Sequence, residues 1–140
     1  MTEAHNTALV RRAVIEIWNR GKLDVADVLF AADYVNHAGL IPDLVRGPEA
    51  IKISAAFYRT AFPNCRISMD ELTEKRAAVL LRWTARSTLL MSRVTSGAQG
   101  TLMGLMVCRF AHGQIAESWM HWDQPGMLDQ LGLMRRAVRV

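Results

Sequence analysis

Gly113-Gln114-Ile115-Ala116-Glu117-Ser118-Trp119-Met120-His121-Trp122-Asp123 is the stretch on which the fold and the chemistry of this 140-residue chain turn. Apolar and polar residues alternate along it, and the His112-Gly113 pair at its head suits a tight hairpin. In a strand, residues two apart share a face, so Trp119, His121 and Asp123 are expected to point the same way. An indole, an imidazole and a carboxylate on one sheet face make an odd core but a suitable lining for an acid/base pocket.

The same two-residue period extends back through residues 101–110, 87–94, 77–86 and 66–73. Glu74-Lys75-Arg76 reads as a polar turn and Ser96-Gly97-Ala98-Gln99-Gly100 as a looser connection. Ahead of these strands the period is helical. Leu9, Val10, Ala13, Val14, Ile17 and Trp18 predict a helix over 7–20, with Gly21 as its C-cap. Asp24 is placed to cap a short helix over 25–30, and 33–37 is a short extended piece. Pro48 suits the first turn of a helix over 48–61, which Phe62-Pro63-Asn64 ends. A last short helix is expected over 125–131, stopped by Gly132. Three helices followed by a meander of antiparallel strands give an α+β fold, read here as one domain over 1–140. A strongly curved sheet wrapped around the helices makes a cone with an open mouth.

Composition narrows the function classes. Hydrophobic residues make up 51% of the chain, which disfavours disorder. No apolar run approaches the ~20 residues that span a bilayer. The N-terminal Met1-Thr2-Glu3-Ala4-His5 has no signal-peptide pattern, so a cytoplasmic protein without membrane contact is expected. The net charge is +4; apart from two small clusters, Arg11-Arg12 and Arg135-Arg136 with Arg139, the arginines are scattered singly, without the aromatic interleaving of a nucleic-acid binder. Cys65 and Cys108 are expected to be buried free thiols. The four histidines show no pair at metal-ligand spacing, and the glycines form no phosphate loop or dinucleotide fingerprint. The chain is therefore read as using neither metal nor cofactor.

Several pieces, in order, resemble the SnoaL-like polyketide cyclases of the nuclear transport factor 2-like superfamily. They are Trp18-Asn19-Arg20-Gly21, Asp33-Tyr34-Val35-Asn36-His37, Arg46-Gly47-Pro48-Glu49-Ala50-Ile51, Arg59-Thr60-Ala61-Phe62-Pro63-Asn64, Leu81-Arg82-Trp83-Thr84 and the closing strand with Asp123, then Gln130-Leu131-Gly132. The resemblance implies a cone with a deep apolar cavity, a homodimer, and an intramolecular aldol closure without metal or organic cofactor. It implies that Asp123 is the acid/base. The chain departs from the pattern after Trp83: many relatives carry a glycine-threonine-histidine-x-glycine segment there, and here it reads Arg86-Ser87-Thr88-Leu89-Leu90-Met91.

Weighed singly, Asp123 is either a base made usable by apolar neighbours or a cap on the turn into Gln124-Pro125-Gly126. His121 either polarises a carbonyl beside it or is a structural histidine. His37, at a family hallmark position, either bonds substrate or ties the loop to the sheet; Tyr34 and Asn36 lie on the opposite face of the same strand, so only one set can look inward. Arg59, Arg82 and Arg109 are candidates for substrate contact, for pairing with Asp123 or Glu117, or for the surface. Trp83 and Trp119, with Trp122, Phe57, Tyr58, Phe110, Met91, Met103, Met106 and Met120, suit a flat apolar or aromatic ligand and equally suit a core.

Three functions compete. The first is a cofactor-independent cyclase or isomerase, in which Asp123 removes a proton α to a carbonyl of a small polyketide-like substrate. The second is a non-catalytic ligand-binding or dimerisation module of the same fold. The third is an epoxide hydrolase, suggested by the Tyr34-x-Asn36 spacing; that chemistry also wants an arginine and an aspartate two apart on the next-to-last strand, and residues 101–110 contain no aspartate.

Overall fold

A computed structural model describes residues 3–37, 45–62, 64–86 and 101–122. The expected strand over 87–94 and the final helix over 125–131 lie outside the described residues. The first helix, α1, is α-helical over Glu3–Arg12 and continues as a π-helical stretch over Ala13–Asn19. Val10, Val14 and Ile17 are buried along it, as the apolar spacing predicts. Gly21, at φ 72°, ends it in the left-handed conformation that glycine adopts without cost.

A single 3₁₀ turn, Leu23–Val25, leads into the short α2, Ala26–Leu29. The chain is already extended at Phe30, so strand β1 covers Phe30–Asn36 and starts earlier than the expected 33–37. Helix α3 spans Pro48–Ala61, with its proline in the first turn. Strands β2 (Arg66–Lys75), β3 (Ala78–Arg86), β4 (Thr101–Ala111) and β5 (Gln114–Trp122) complete the described chain. The β2–β3 connection is the two residues Arg76-Ala77, both with positive φ, and β4–β5 turns through His112-Gly113 in the same way. This is the backbone sense that matches the twist of the flanking strands.

The sheet order is β1-β5-β4-β3-β2. Consecutive strands from β2 to β5 pair antiparallel, whereas β1 joins the far edge parallel to β5. The antiparallel meander holds for four strands, with β3 paired directly to β4 and not through the expected strand over 87–94; the fifth arrives from the helical half of the chain, and alternation carries no information about its direction. Tyr34, Ile17, Leu29, Leu81 and Ile115 are the largest fully buried side chains, between the helices and the concave face of the sheet. Each contributes about 1.5–3 kcal/mol by leaving water. At the opposite edge, Asn19 accepts from the Ile67 amide (2.7 Å) and donates to the Ile67 carbonyl (2.9 Å), satisfying backbone groups of the edge strand β2.

Two bulges bend the antiparallel part of the sheet. One lies at Asp70, between the Met69 and Glu71 pairings with β3. The other lies at Ala116: Phe110 pairs with Ile115, yet Arg109 pairs with Glu117. The extra residue reverses the alternation of β5. Ile115 faces the core before the bulge; after it Ser118 and Met120 face inward, and Glu117, Trp119 and His121 face out.

Candidate functional site

At the end of the sheet where β3 stops, β4 starts and β5 stops, the described side chains enclose a half-open cavity. Val14 and Trp18 reach it from the π-helical end of α1, Tyr58 and Phe62 from the end of α3 and the residue after it. The strands contribute Ile67, Leu81, Trp83, Ala85, Met106 and Met120, and Cys65 sits at the entry to β2. The π-helical turn at the end of α1 is a device often found at functional sites, because it re-aims side chains. Here it includes both Val14 and Trp18.

The lining is aromatic and sulfur-rich. Trp18 and Tyr58 meet at 6.0 Å between ring centroids, and Tyr58 stacks on Phe62 at 6.4 Å. The Trp83 indole N–H donates to the Met120 sulfur at 3.2 Å, which orients both across the floor. Trp83 lies over Gly104: a Cβ there would stand 2.5 Å from its ring, so this close approach depends on glycine. The cavity holds about 50 Å³ of water-accessible space, well below the ~300 Å³ of a pocket that encloses a drug-sized ligand. The space enclosed by the described residues takes one end of a ligand.

The cavity is poor in charge. Among its described lining residues none is a carboxylate or an imidazole. Burial raises the Tyr58 phenol above its ordinary value, so it remains a donor at neutral pH. Burial also raises the Cys65 thiol, opposed by the nearby positive charge of Arg59.

Of the expected site residues, Trp83 is in the cavity, 4% exposed. Tyr34 is in the core behind it, fully buried, its hydroxyl 2.5 Å from Ser118 Oγ. His37 lies on the other side: its Nε2 is 2.9 Å from Glu117 and its ring stacks on Trp119 at 4.7 Å. Of the two alternatives on that strand, Tyr34 looks inward and His37 outward, while Asn36 is half-buried and pairs with Ser118 along the backbone.

The expectation that Trp119 and His121 line the pocket is corrected. They do share a face, but it is the convex one: Trp119 is 36% exposed and His121 is exposed opposite Leu105. The bulge at Ala116 is the cause. Met103 stands on the same outer face, half exposed. Arg109 lies 5.8 Å over the Trp119 ring, and Arg82 faces Glu71 at 3.9 Å, so neither reaches the cavity. Arg59 is at the mouth, where it donates to the carbonyls of Trp18 (2.8 Å) and Asn19 (2.9 Å). Asp123 follows Trp122, the last described residue of β5, and lies outside the described residues.

Tyr58, Met106 and Met120 belong to the expected ligand-suited set and line the cavity, whereas Phe57 is half exposed. Trp18, Phe62 and Cys65 were missed as lining. The helical stripe that carries Trp18 signals core equally well, and the turn holding Phe62 and Cys65 has no periodicity to read. Cys65 and Cys108 are free thiols, half-buried and buried. No group of three potential metal ligands exists among the described residues.

Among solved structures, the fold matches TsrD of Streptomyces laurentii at 17% identity, over 95% of this chain and 98% of that one, with a TM-score of 0.74. IdmH of Streptomyces antibioticus, a candidate polyketide cyclase, matches at 25% identity over 90% and 97%, with a TM-score of 0.72. AclR of Streptomyces galilaeus, a candidate hydroxylase, matches at 21% identity over 94% and 98%, with a TM-score of 0.68. No curated protein sequence matches the chain significantly. The family profile described as SnoaL-like polyketide cyclase matches residues 8–131. Together with the curved five-stranded sheet over three helices and the apolar cavity at its open end, this match means that the chain belongs to the SnoaL-like polyketide cyclase family.

Proposed function

We propose that this protein is a cofactor-independent cyclase or isomerase acting on a small polyketide-like carbonyl compound. The observation that supports the reading is the apolar cavity at the end of the sheet where β5 stops; Asp123 is the next residue in the sequence after β5. In this reading Asp123, which follows β5 in the sequence, does not share the outward face of Trp119 and His121, and its carboxylate removes a proton α to a substrate carbonyl. The resulting enolate carbon attacks a second carbonyl of the same molecule, and Asp123 returns the proton to the new alkoxide. No redox partner is needed, since atoms and electrons balance within one substrate. Apolar walls weaken hydration of a carboxylate and raise its basicity. His121 has no part in this scheme, because its side chain is on the outer face.

The test is α-hydrogen exchange into bicyclic aryl ketones in D₂O, followed by NMR, for the parent protein and Asp123→Asn. A loss of about 10²-fold or more in the variant is expected, the usual weight of a positioned base. Exchange that survives at the parent rate in Asp123→Asn overturns the catalytic role.

The absence of any carboxylate or imidazole from the described cavity lining favours a second reading, a binding module without chemistry. Ligand binding in the cavity with no exchange in either protein would select it. Homodimerisation is part of both readings. Leu80, Met103 and Trp119 are large apolar side chains exposed together on the convex face, and a second copy of the chain would cover them. Light scattering should give twice the chain mass, falling to one chain in Leu80→Glu/Met103→Glu; a parent protein of single-chain mass overturns the dimer.

A further inference from the structure

Beside the apolar cavity lies a second recess with the opposite character. It is lined by Asn19, Arg59, Asn64, Cys65 and Arg66 and holds about 230 Å³, over four times the space of the apolar cavity. Cys65 lines both, and the Arg59 charge is close enough to act on its thiol. The two spaces are therefore neighbours across one side chain. Two arginines face the recess, and among the described residues neither pairs with a carboxylate.

The local structure explains why the recess stays open and positive. Arg59 spends one guanidinium nitrogen on the Trp18 and Asn19 carbonyls at the end of the first helix, where a cation is favoured. Its guanidinium lies against Gly21, where a Cβ would stand 2.7 Å from Nε. Both polar atoms of the Asn19 side chain are committed to Ile67. Asn64 holds the α3–β2 turn at φ 62°, a conformation asparagine tolerates, and its amide borders the recess. Arg66, exposed at the start of β2, has no partner among the described residues. Arg59 keeps its charge but spends donors on two carbonyls, so Arg66 brings the donors still open to an anion.

We propose that the natural ligand is an elongated amphiphile whose apolar end enters the Trp83–Met120 cavity and whose carboxylate sits in the Arg59–Arg66 recess. This rests on the reading of the apolar cavity as the substrate site and adds the substrate class. The volumes agree with it: the cavity admits only the tip of a ligand, and the larger space beside it is polar.

The test compares 6-phenylhexanoate with 6-phenylhexan-1-ol, equal in length and differing in charge, by calorimetry at low ionic strength. The acid should bind tighter by on the order of five- to tenfold, a preference that salt erodes because Arg66 is exposed. Arg66→Gln should abolish the preference and leave the alcohol affinity unchanged, with an unaltered thermal melt as the control for folding. Equal binding of acid and alcohol, or a preference that survives Arg66→Gln, overturns the carboxylate assignment and leaves the apolar site standing. Binding of neither probe overturns the apolar site and the assignment with it.

Discussion

The Tyr34 hydroxyl lies 2.5 Å from the Ser118 hydroxyl, and both side chains are buried between the helices and the sheet. This contact joins β1 to β5 across the parallel pair and presents Ser118 to the interior. With Ser118 inward, Met120 is inward and Trp119 and His121 are outward. Burial pushes the Tyr34 phenol well above its ordinary value, so the bond is between two neutral hydroxyls.

Removing either hydroxyl leaves the other buried without this partner. Tyr34→Phe and Ser118→Ala should each destabilise the fold by about 1–3 kcal/mol in urea unfolding. The double variant should cost clearly less than the sum, since no orphaned group remains. Additive losses would mean that the two hydroxyls do not act as a pair.

Gly104 lies under the Trp83 ring, with no room for a Cβ. Gly104→Ala should cost about 1–3 kcal/mol by overpacking. Trp83→Phe in the same chain should recover part of the loss, because the six-membered ring of the indole makes the closest approach. A thermal melt of Gly104→Ala that matches the parent would place the ring elsewhere.

Arg76 and Ala77 both hold positive φ in the two-residue β2–β3 turn, at 54° and 64°. Asn-Gly is the favoured pair for this turn. Arg76→Asn/Ala77→Gly should therefore raise stability by about 0.5–1 kcal/mol, with the relief of strain exceeding the entropy that the glycine adds to the unfolded chain. Chemical denaturation at constant slope reads the gain directly.

Burial pushes the Cys108 thiol from its ordinary 9.0 up to about 12. The folded state thus favours the neutral thiol. Its contribution to stability is intact below pH 9, where both states are protonated, and is lost as pH rises from about 9 to about 12, where only the unfolded chain ionises. Unfolding free energies from pH 8 to 10.5 should fall more steeply for the parent than for Cys108→Ala; equal slopes would remove Cys108 from the alkaline transition. Iodoacetamide should label Cys65 well before Cys108, which is 2% exposed.

Much of this protein is legible in its sequence. The helical stripe of Val10, Val14 and Ile17, the proline opening α3 and the alternation through β2 to β5 are local patterns, and the structure follows them. Alternation also places Trp119 and His121 on one shared face. It cannot say which face, because that sign is set by contacts distant in the chain. One extra residue, Ala116, reverses it, and the Tyr34–Ser118 contact holds the reversed arrangement. The parallel entry of β1 and the meeting of Cys65 with Arg59 and Arg66 beside an apolar cavity are likewise tertiary facts. Periodicity reports how each segment meets water, and only packing decides which segments meet each other.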